Sequence, residues 1–325
     1  MPAFITHDLF GRQLLRFVEK DVPQPSPARP SLPSPHPAAT SAAGRAFLLG
    51  NQGPDPFFFA LLSSQLVTLK RLGSLLHNQR ILQTLEALLD YCDRAPNSER
   101  AVLRAYVAGY LCHHSLDSTA HPFVYAQQYA LCAAGVAELD DRDGDVVHGL
   151  IEADLDALTL HRLRGQTIRT FRPARELPHA EAATLAALDA LYCHVAERVF
   201  DLKIALGAFS RCVADMRLTL HALYSPRGIK RSLLGWLERL GRRHSLLQAM
   251  STPVTLCTAD KADNHERLPW ENPFTGEHDT SDFTQLFDTA LQTAAVCLQL
   301  LIKDAPADKL WNGLDFEGVP VGASG

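Results

Sequence analysis

The sequence lacks a long apolar run and has no excess of basic charge. No segment approaches the about 18 consecutive apolar residues expected of a membrane-spanning helix. The first residues, MPAFITHD, show no basic region followed by an apolar stretch, so a secretory signal is not expected. Because the net charge is -5 and the charged share is 21%, the chain does not have the dominant basic face of nucleic-acid-binding proteins, and no stable nucleic-acid partner is expected.

Cysteine is sparse and scattered. The seven cysteines are odd in number and mostly sit among apolar neighbours, as Cys112 does after Leu111 and Cys132 after Leu131. This spacing favours buried free thiols over a disulfide framework. A reducing compartment follows, and with no leader sequence the expected location is cytoplasmic.

Few segments alternate between apolar and polar residues with period two, so strands are not expected to dominate. From about Phe57 onward, apolar residues recur at helical spacing, as in the stripe from Ile81 through Leu85 to Leu89. The fold class predicted is an all-α, multi-helix bundle. Helices are predicted over residues 122–138, 145–163, 179–201, 202–223, 231–243 and 281–302.

Two segments stand out by composition. Residues 22–44 are dominated by Pro, Ser and Ala, and they predict a flexible surface insertion with a solvated His36. Residues 226–243, PRGIKRSLLGWLERLGRR, predict a short basic amphipathic helix. Such a helix could make peripheral contact with an anionic membrane. Most amphipathic helices instead pack their apolar face on the protein, and that is the interpretation favoured here.

The densest polar cluster is GYLCHHSLDSTAHP, residues 109–122, inside an apolar helical pattern. His113, Asp117 and His121 are spaced four residues apart, so they share one helix face. Pro122 is expected to end this helix. The pair His148 and Glu152 repeats the spacing on a later helix, and ligands that project from facing helices can build a metal site in a bundle core.

Two further ligand candidates lie earlier in the chain: Asp55 in the loop NQGPDP and His77 in LGSLLHNQ. A lone His and carboxylate pair on a helix surface would contribute only about 0.2–0.5 kcal/mol. Polar groups in an apolar helix, however, are costly unless they are partnered or bind metal, which favours a metal site. His114 points away from the His113 face and is not included, and His161 and His221 are interpreted as ordinary hydrogen-bonded residues.

These residues resemble the zinc-dependent phospholipase C and single-strand-specific nuclease superfamily, in particular its uncharacterised bacterial cytoplasmic branch. The ordered series of Asp, His, His-x-x-x-Asp, His and His-x-x-x-Glu is a specific signal, and its members span most of the chain. The matching segments are MPAFITH, NQGPDPFFF, LGSLLH, AYVAGYLCHHSLDSTAHPFVY, HGLIEADLD and, more weakly, HERLPWENPF.

The resemblance implies one helical domain over residues 1–325 that holds two to three zinc ions in a cleft. Carried over by matching position, the ligands of one ion would be Asp55, His77, His113 and Asp117, and those of a second His121, His148 and Glu152. A third ion would use Asp117 and His7 together with backbone groups of the N-terminus. This chain lacks the N-terminal Trp ligand of the secreted members, so the third position is the one where it departs from the pattern.

The implied activity is phosphoester hydrolysis by metal-activated water, with Asp55 as the catalytic base and phospholipase C-like cleavage of a phospholipid as the preferred reaction. One alternative is a single-strand nuclease or nucleotidase, in which aromatic residues such as Phe57, Phe58, Phe59, Phe123 and Tyr125 would stack on bases. Another is a non-catalytic, metal-binding helical protein. A phosphohydrolase of the His-Asp helical type is disfavoured, because the pair His7-Asp8 lies at the terminus.

Overall fold

The computed structural model describes residues 4–18, 39, 41–135, 139–176, 179–241, 243–254 and 262–322. Helices dominate these residues, which confirms the predicted all-α fold. In chain order they are α1 Phe4–Leu14, α2 Ala42–Gly50, α3 Leu66–Asn78, α4 Ile81–Arg94, α5 Asn97–Ala133, α6 Gly144–Arg164, α7 Pro173–Glu176, α8 Ala182–Phe200, α9 Ala208–Leu223, α10 Ile229–Glu238, α11 Leu246–Ala249, α12 Phe283–Ile302 and α13 Ala307–Leu310. Short 3₁₀ helices cover Leu15–Phe17, Asp55–Phe59 and Asp141–Asp143, and β1 (Trp270–Glu271) pairs antiparallel with β2 (His278–Asp279).

Helix α5 is the central element of the bundle, and α2, α6 and α12 pack on it. Its contact with α2 is close because each helix contributes a glycine at the crossing. A Cβ atom on Gly109 would lie 2.1 Å from the Phe47 carbonyl oxygen, and one on Gly50 would lie 2.1 Å from that of Tyr106. This backbone-to-backbone packing brings the loop after α2, which leads to Asp55, against the middle of α5.

The prediction that Pro122 ends its helix is wrong, because α5 continues to Ala133. A proline inside a helix has no N–H for the carbonyl four residues earlier, here that of Ser118. Gly318, from the C-terminal segment, packs against this point: a Cβ on it would lie 2.5 Å from Pro122 Cγ and 2.8 Å from the Ser118 oxygen. Tertiary packing therefore covers the interruption that the local rule treats as a stop.

Helix α12 is, among the described residues, the helix long and apolar enough to cross a membrane by length and composition. One of its faces is buried and belongs to the main core, including Phe287, Ala290 and Leu298. Phe287 makes an edge contact with Phe10 of α1, at 5.2 Å between ring centroids. The helix thus joins α1 and α5 in the same hydrophobic core.

Other boundaries differ modestly from expectation. The helix predicted over residues 202–223 begins only at Ala208, after Gly207 with a φ of +91°, and the one predicted over 231–243 is Ile229–Glu238. Residues 22–38 and 40 of the predicted flexible insertion lie outside the described residues, but its end is helical, since Ser41 caps α2 by accepting a bond from the Gly44 amide at 2.9 Å. The cysteines in the described part of the chain are free thiols, as predicted.

Candidate metal centre

All eight side chains proposed as ligands from the sequence meet around one cleft. The cleft has a volume of about 140 Å³, and seven of the eight line it. The eighth, His113, is fully buried beneath it. The side chains come from five elements: His7 from α1, Asp55 from a 3₁₀ helix, His77 from α3, His113, Asp117 and His121 from α5, and His148 and Glu152 from α6.

The eight side chains form three groups whose ligand atoms lie within 4.8 Å of one another. The groups are Asp55, His77 and His113; His7, His113 and Asp117; and His121, His148 and Glu152. The division differs from the sequence-based expectation in two respects: His113 belongs to two groups, and Asp117, which was expected to serve two ions, is grouped with His7 and His113 and not with Asp55 and His77. Asp117 lies between two imidazoles, with Oδ2 3.0 Å from His113 Nε2 and Oδ1 3.0 Å from His7 Nε2.

Four of the histidines are oriented by a bond at Nδ1, which leaves Nε2 directed at the cleft. The acceptors are the carbonyl oxygen of Gly73 for His77 at 2.7 Å, that of Asn51 for His113 at 3.0 Å, that of Phe316 for His121 at 2.7 Å, and Gln128 Oε1 for His148 at 3.0 Å. A carbonyl accepts only if Nδ1 carries the proton, so at least three of these rings present an unprotonated Nε2 when neutral. This is the arrangement in which an outer partner fixes the tautomer of a metal-binding histidine.

His7 is held differently. Its ring stacks on that of His113, with 4.1 Å between centroids, and its Nδ1 is buried without a hydrogen-bond partner among the described residues. His113 Nε2 likewise has no hydrogen bond of good geometry. Buried polar atoms without partners are rare, and an ion bound at this point would give both nitrogens access to a positive partner or fix their tautomers.

The charges of the cleft favour a cation. Burial by itself would raise the pKa of Asp55, Asp117 and Glu152. Neighbouring histidines and other positive charge outweigh burial, so the pKa of all three carboxylates is lowered. For Asp117 and Glu152 the pKa lies well below the usual range. Burial would lower the pKa of His121, but Asp117 and Glu152 raise it to about 9. Three ionised carboxylates thus share a buried space, where a metal ion would offset their mutual repulsion.

Buried His, Asp and Glu in this arrangement could bind metal. Imidazole nitrogen and carboxylate oxygen suit zinc and neighbouring first-row metals, whereas calcium and magnesium prefer sites made wholly of oxygen ligands. The close spacing of the groups also fits more than one ion, because a carboxylate such as Asp117 has two oxygens that can face different neighbours.

The positions of His113 and His7 depend on residues outside the ligand set. Gly53 has a φ of +50°, and a Cβ there would lie 2.3 Å from the His113 ring, so this position in the loop after α2 requires glycine. Asp156 of α6 accepts bonds from the Ile5 amide at 3.2 Å and from the Thr6 amide at 2.7 Å. It thereby fixes the first turn of α1, one residue before His7.

Sequence reasoning missed the C-terminal segment around Phe316. The Phe316 carbonyl accepts from His121, its amide donates to the His77 carbonyl at 3.1 Å, and its ring packs against His77 and His113. Glu317 lines the cleft beside it. The only local signal was the pair of acids in LDFEGVP, which has no ligand spacing, so the role of this segment comes from tertiary contacts.

His114 lies outside the ligand groups, as expected. Its Nε2 bonds to the Leu314 carbonyl at 3.0 Å, and burial lowers its pKa to about 4, so it is a neutral core residue. The five aromatic residues considered for stacking on bases lie in two different places. Phe58 and Tyr125 line the cleft, whereas Phe57, Phe59 and Phe123 are buried in the core.

Comparison of the chain with family models, with curated proteins and with solved structures gave no match.

Proposed function

We propose that this protein is a zinc-dependent phosphoester hydrolase whose cleft holds two or three zinc ions, as the resemblance to the zinc-dependent phospholipase C and nuclease superfamily implies. The observation that carries the proposal is the convergence of three histidine–carboxylate groups on one open cleft. When bound, zinc supplies a Lewis acid for phosphate oxygens and lowers the pKa of a bound water toward about 7.

The residues that line the cleft could bind an anionic substrate only if zinc ions were bound there as well. Among the described residues that line the cleft there is no lysine or arginine, while Asp55, Asp117 and Glu152 contribute negative charge. A phosphate would therefore be repelled by the protein alone. Binding of substrate in this cleft should depend on the metal.

Asp55 is the residue proposed as general base. Asp55 is 4% exposed, and its Oδ1 accepts a hydrogen bond from His77 Nε2 at 3.0 Å when that nitrogen is protonated. Burial would raise the pKa of Asp55, but His113 and His77 more than offset this effect, so the pKa lies below its usual value. An ionised carboxylate of this kind accepts a proton or orients a water, and it is a poor proton donor. Phe58 and Tyr125 would contact the organic part of the substrate at the cleft wall.

We propose phospholipid as the substrate class, with single-stranded nucleic acid as the alternative. To distinguish them, protein purified without chelator should be assayed for hydrolysis of a soluble chromogenic phosphodiester, a phosphatidylcholine micelle and single-stranded DNA. Asp55→Asn should lose turnover while keeping zinc, whereas Asp189→Asn, a buried aspartate whose Oδ1 accepts from the Ser210 amide at 2.9 Å, should retain turnover.

Three results would count against parts of this proposal. Bound zinc with no hydrolysis of any substrate would favour a binding role for the metal. Undiminished turnover in Asp55→Asn would remove Asp55 from the mechanism. Cleavage of DNA with no action on either other substrate would replace phospholipase by nuclease.

A further inference from the structure

Helix α10 turns its apolar face to the solvent. Five apolar side chains are between 48% and 72% exposed, and they are Ile229, Leu233, Trp236, Leu237 and Leu240. The spacing of four, three and one residues from Ile229 to Leu237 places the first four on one face of α10, and Leu240 lies in the turn just after the helix. We call these five side chains the α10 stripe. The sequence-based interpretation, that this face packs on the bundle, is wrong for the described residues.

The opposite face of α10 holds the helix on the protein through polar contacts. Glu238 Oε2 accepts from Ser245 Oγ at 2.5 Å and from the Leu247 amide at 2.8 Å, and Arg231 Nε donates to the Ser251 carbonyl at 3.2 Å. Gly235 is buried, and a Cβ on it would lie 2.2 Å from Gln248 Oε1. These contacts fix the rotation of the helix, so the α10 stripe cannot turn inward without breaking them.

Charge around the α10 stripe is basic. On a helical wheel Lys230 and Arg239 flank it on either side, both are exposed, and the exposed Arg227 precedes the helix. Glu238 is the single acidic residue between positions 226 and 241, and it bonds on the packed side. A contiguous apolar face usually marks an interaction site, and one with tryptophan and flanking cations fits the interface of an anionic bilayer.

The α10 stripe is also connected to the metal centre. Helix α11 packs on both α10 and α6, and α6 carries His148 and Glu152. At this contact a Cβ on Gly149, the residue after His148, would lie 3.7 Å from Ala249 Cβ. One short helix therefore separates the α10 stripe from the helix that supplies two of the proposed ligands.

We propose that the α10 stripe docks this protein on an anionic lipid surface, with its five apolar side chains in the interface and Lys230 and Arg239 at the lipid headgroups. Docking itself requires no metal. Its use in bringing a phospholipid headgroup to the cleft rests on the proposed hydrolase function.

The test is flotation of the full chain with vesicles of phosphatidylserine and phosphatidylcholine, or of phosphatidylcholine alone. We expect binding to the anionic vesicles that weakens with added salt, and little binding to the neutral ones. Leu233→Gln combined with Leu240→Gln removes apolar area without changing charge, and it should lower the partition coefficient by about tenfold or more. The matched control is Val296→Gln with Ile302→Gln, which are 57% and 62% exposed on α12 and should change it little.

Several outcomes would overturn the proposal: absence of binding to anionic vesicles, equal loss of binding in the control, or a dimer in sedimentation that the Leu233 and Leu240 changes dissociate. The last result would make a second copy of the chain the occupant of the stripe. Turnover of the three substrates named above separates the two proposals. Vesicle binding without turnover of any of them upholds docking and refutes the hydrolase, and turnover of the soluble phosphodiester without vesicle binding does the reverse.

Discussion

Asp156 links α6 to the first turn of α1, and the substitution Asp156→Ala tests whether this link positions His7. The carboxylate is buried and accepts three bonds from α1: one from the Ile5 amide at 3.2 Å, one from the Thr6 amide at 2.7 Å and one from the Thr6 hydroxyl at 2.8 Å.

The magnitude follows from the donors that would lose their acceptor. Ile5 and Thr6 are each 1% exposed, so water would not readily replace the carboxylate. A buried donor without a partner costs about 1–3 kcal/mol. The Thr6 hydroxyl can rotate to another acceptor, which leaves two amides, so the free energy of unfolding should fall by about 2–6 kcal/mol.

The assay combines denaturant unfolding with zinc analysis of the folded variant. Because Thr6 precedes His7, we expect Asp156→Ala to lose the ion proposed for His7 and Asp117 and to keep the other proposed ions. Asp189→Ala is the control: it removes the acceptor of one amide, that of Ser210, and should cost about 1–3 kcal/mol with no loss of zinc. Wild-type stability and zinc content in Asp156→Ala would refute the reasoning.

Three further predictions concern packing, the metal site and pH. Gly109→Ala should destabilise by about 1–3 kcal/mol or more, because its Cβ would meet a backbone carbonyl at 2.1 Å, whereas Gly241→Ala, with open space around it, should be nearly neutral in thermal unfolding. Gly53→Ala should displace the His113 ring and reduce zinc content although no ligand is removed; unchanged zinc content would contradict this. Burial raises the pKa of Asp156 to about 7, so the folded protein keeps a proton that the unfolded chain loses above about pH 4. Relative to Asp156→Asn, the free energy of unfolding of the wild type should therefore fall as pH rises from about 4 to about 7, and parallel pH profiles would refute this.

The local part of the site was predictable because helix geometry is local. A spacing of four residues places His113 and Asp117 on one face of α5, and the same spacing places His148 and Glu152 on one face of α6. The apolar surroundings of these residues in the sequence correctly indicated that they are buried or nearly so. No long-range information was needed for either step.

What the sequence could not reveal depends on contacts between distant segments. The sharing of His113 by two groups requires the loop after α2 and the first turn of α1 to meet at one point of α5, and the close approach of Gly50 and Gly109 produces part of that meeting. The continuation of α5 through Pro122 depends on a segment almost 200 residues away. Local propensity rules contain neither contact.

Helix α10 shows a second kind of limit. Apolar periodicity correctly predicted an amphipathic helix, but periodicity describes how residues are distributed around a helix and not which side faces the protein. In the described structure Glu238 and Arg231 make polar contacts on the side that faces the protein, and the α10 stripe faces solvent.

The central claim is that the cleft is a centre for more than one metal ion, and elemental analysis of protein purified without chelator tests it most directly. We predict two or three equivalents of zinc per chain, falling by more than one in His113→Ala because that residue belongs to two groups. If three are bound, His7→Ala should leave two. Less than one equivalent of any divalent metal, after incubation with excess zinc and removal of the unbound ion, would contradict the account.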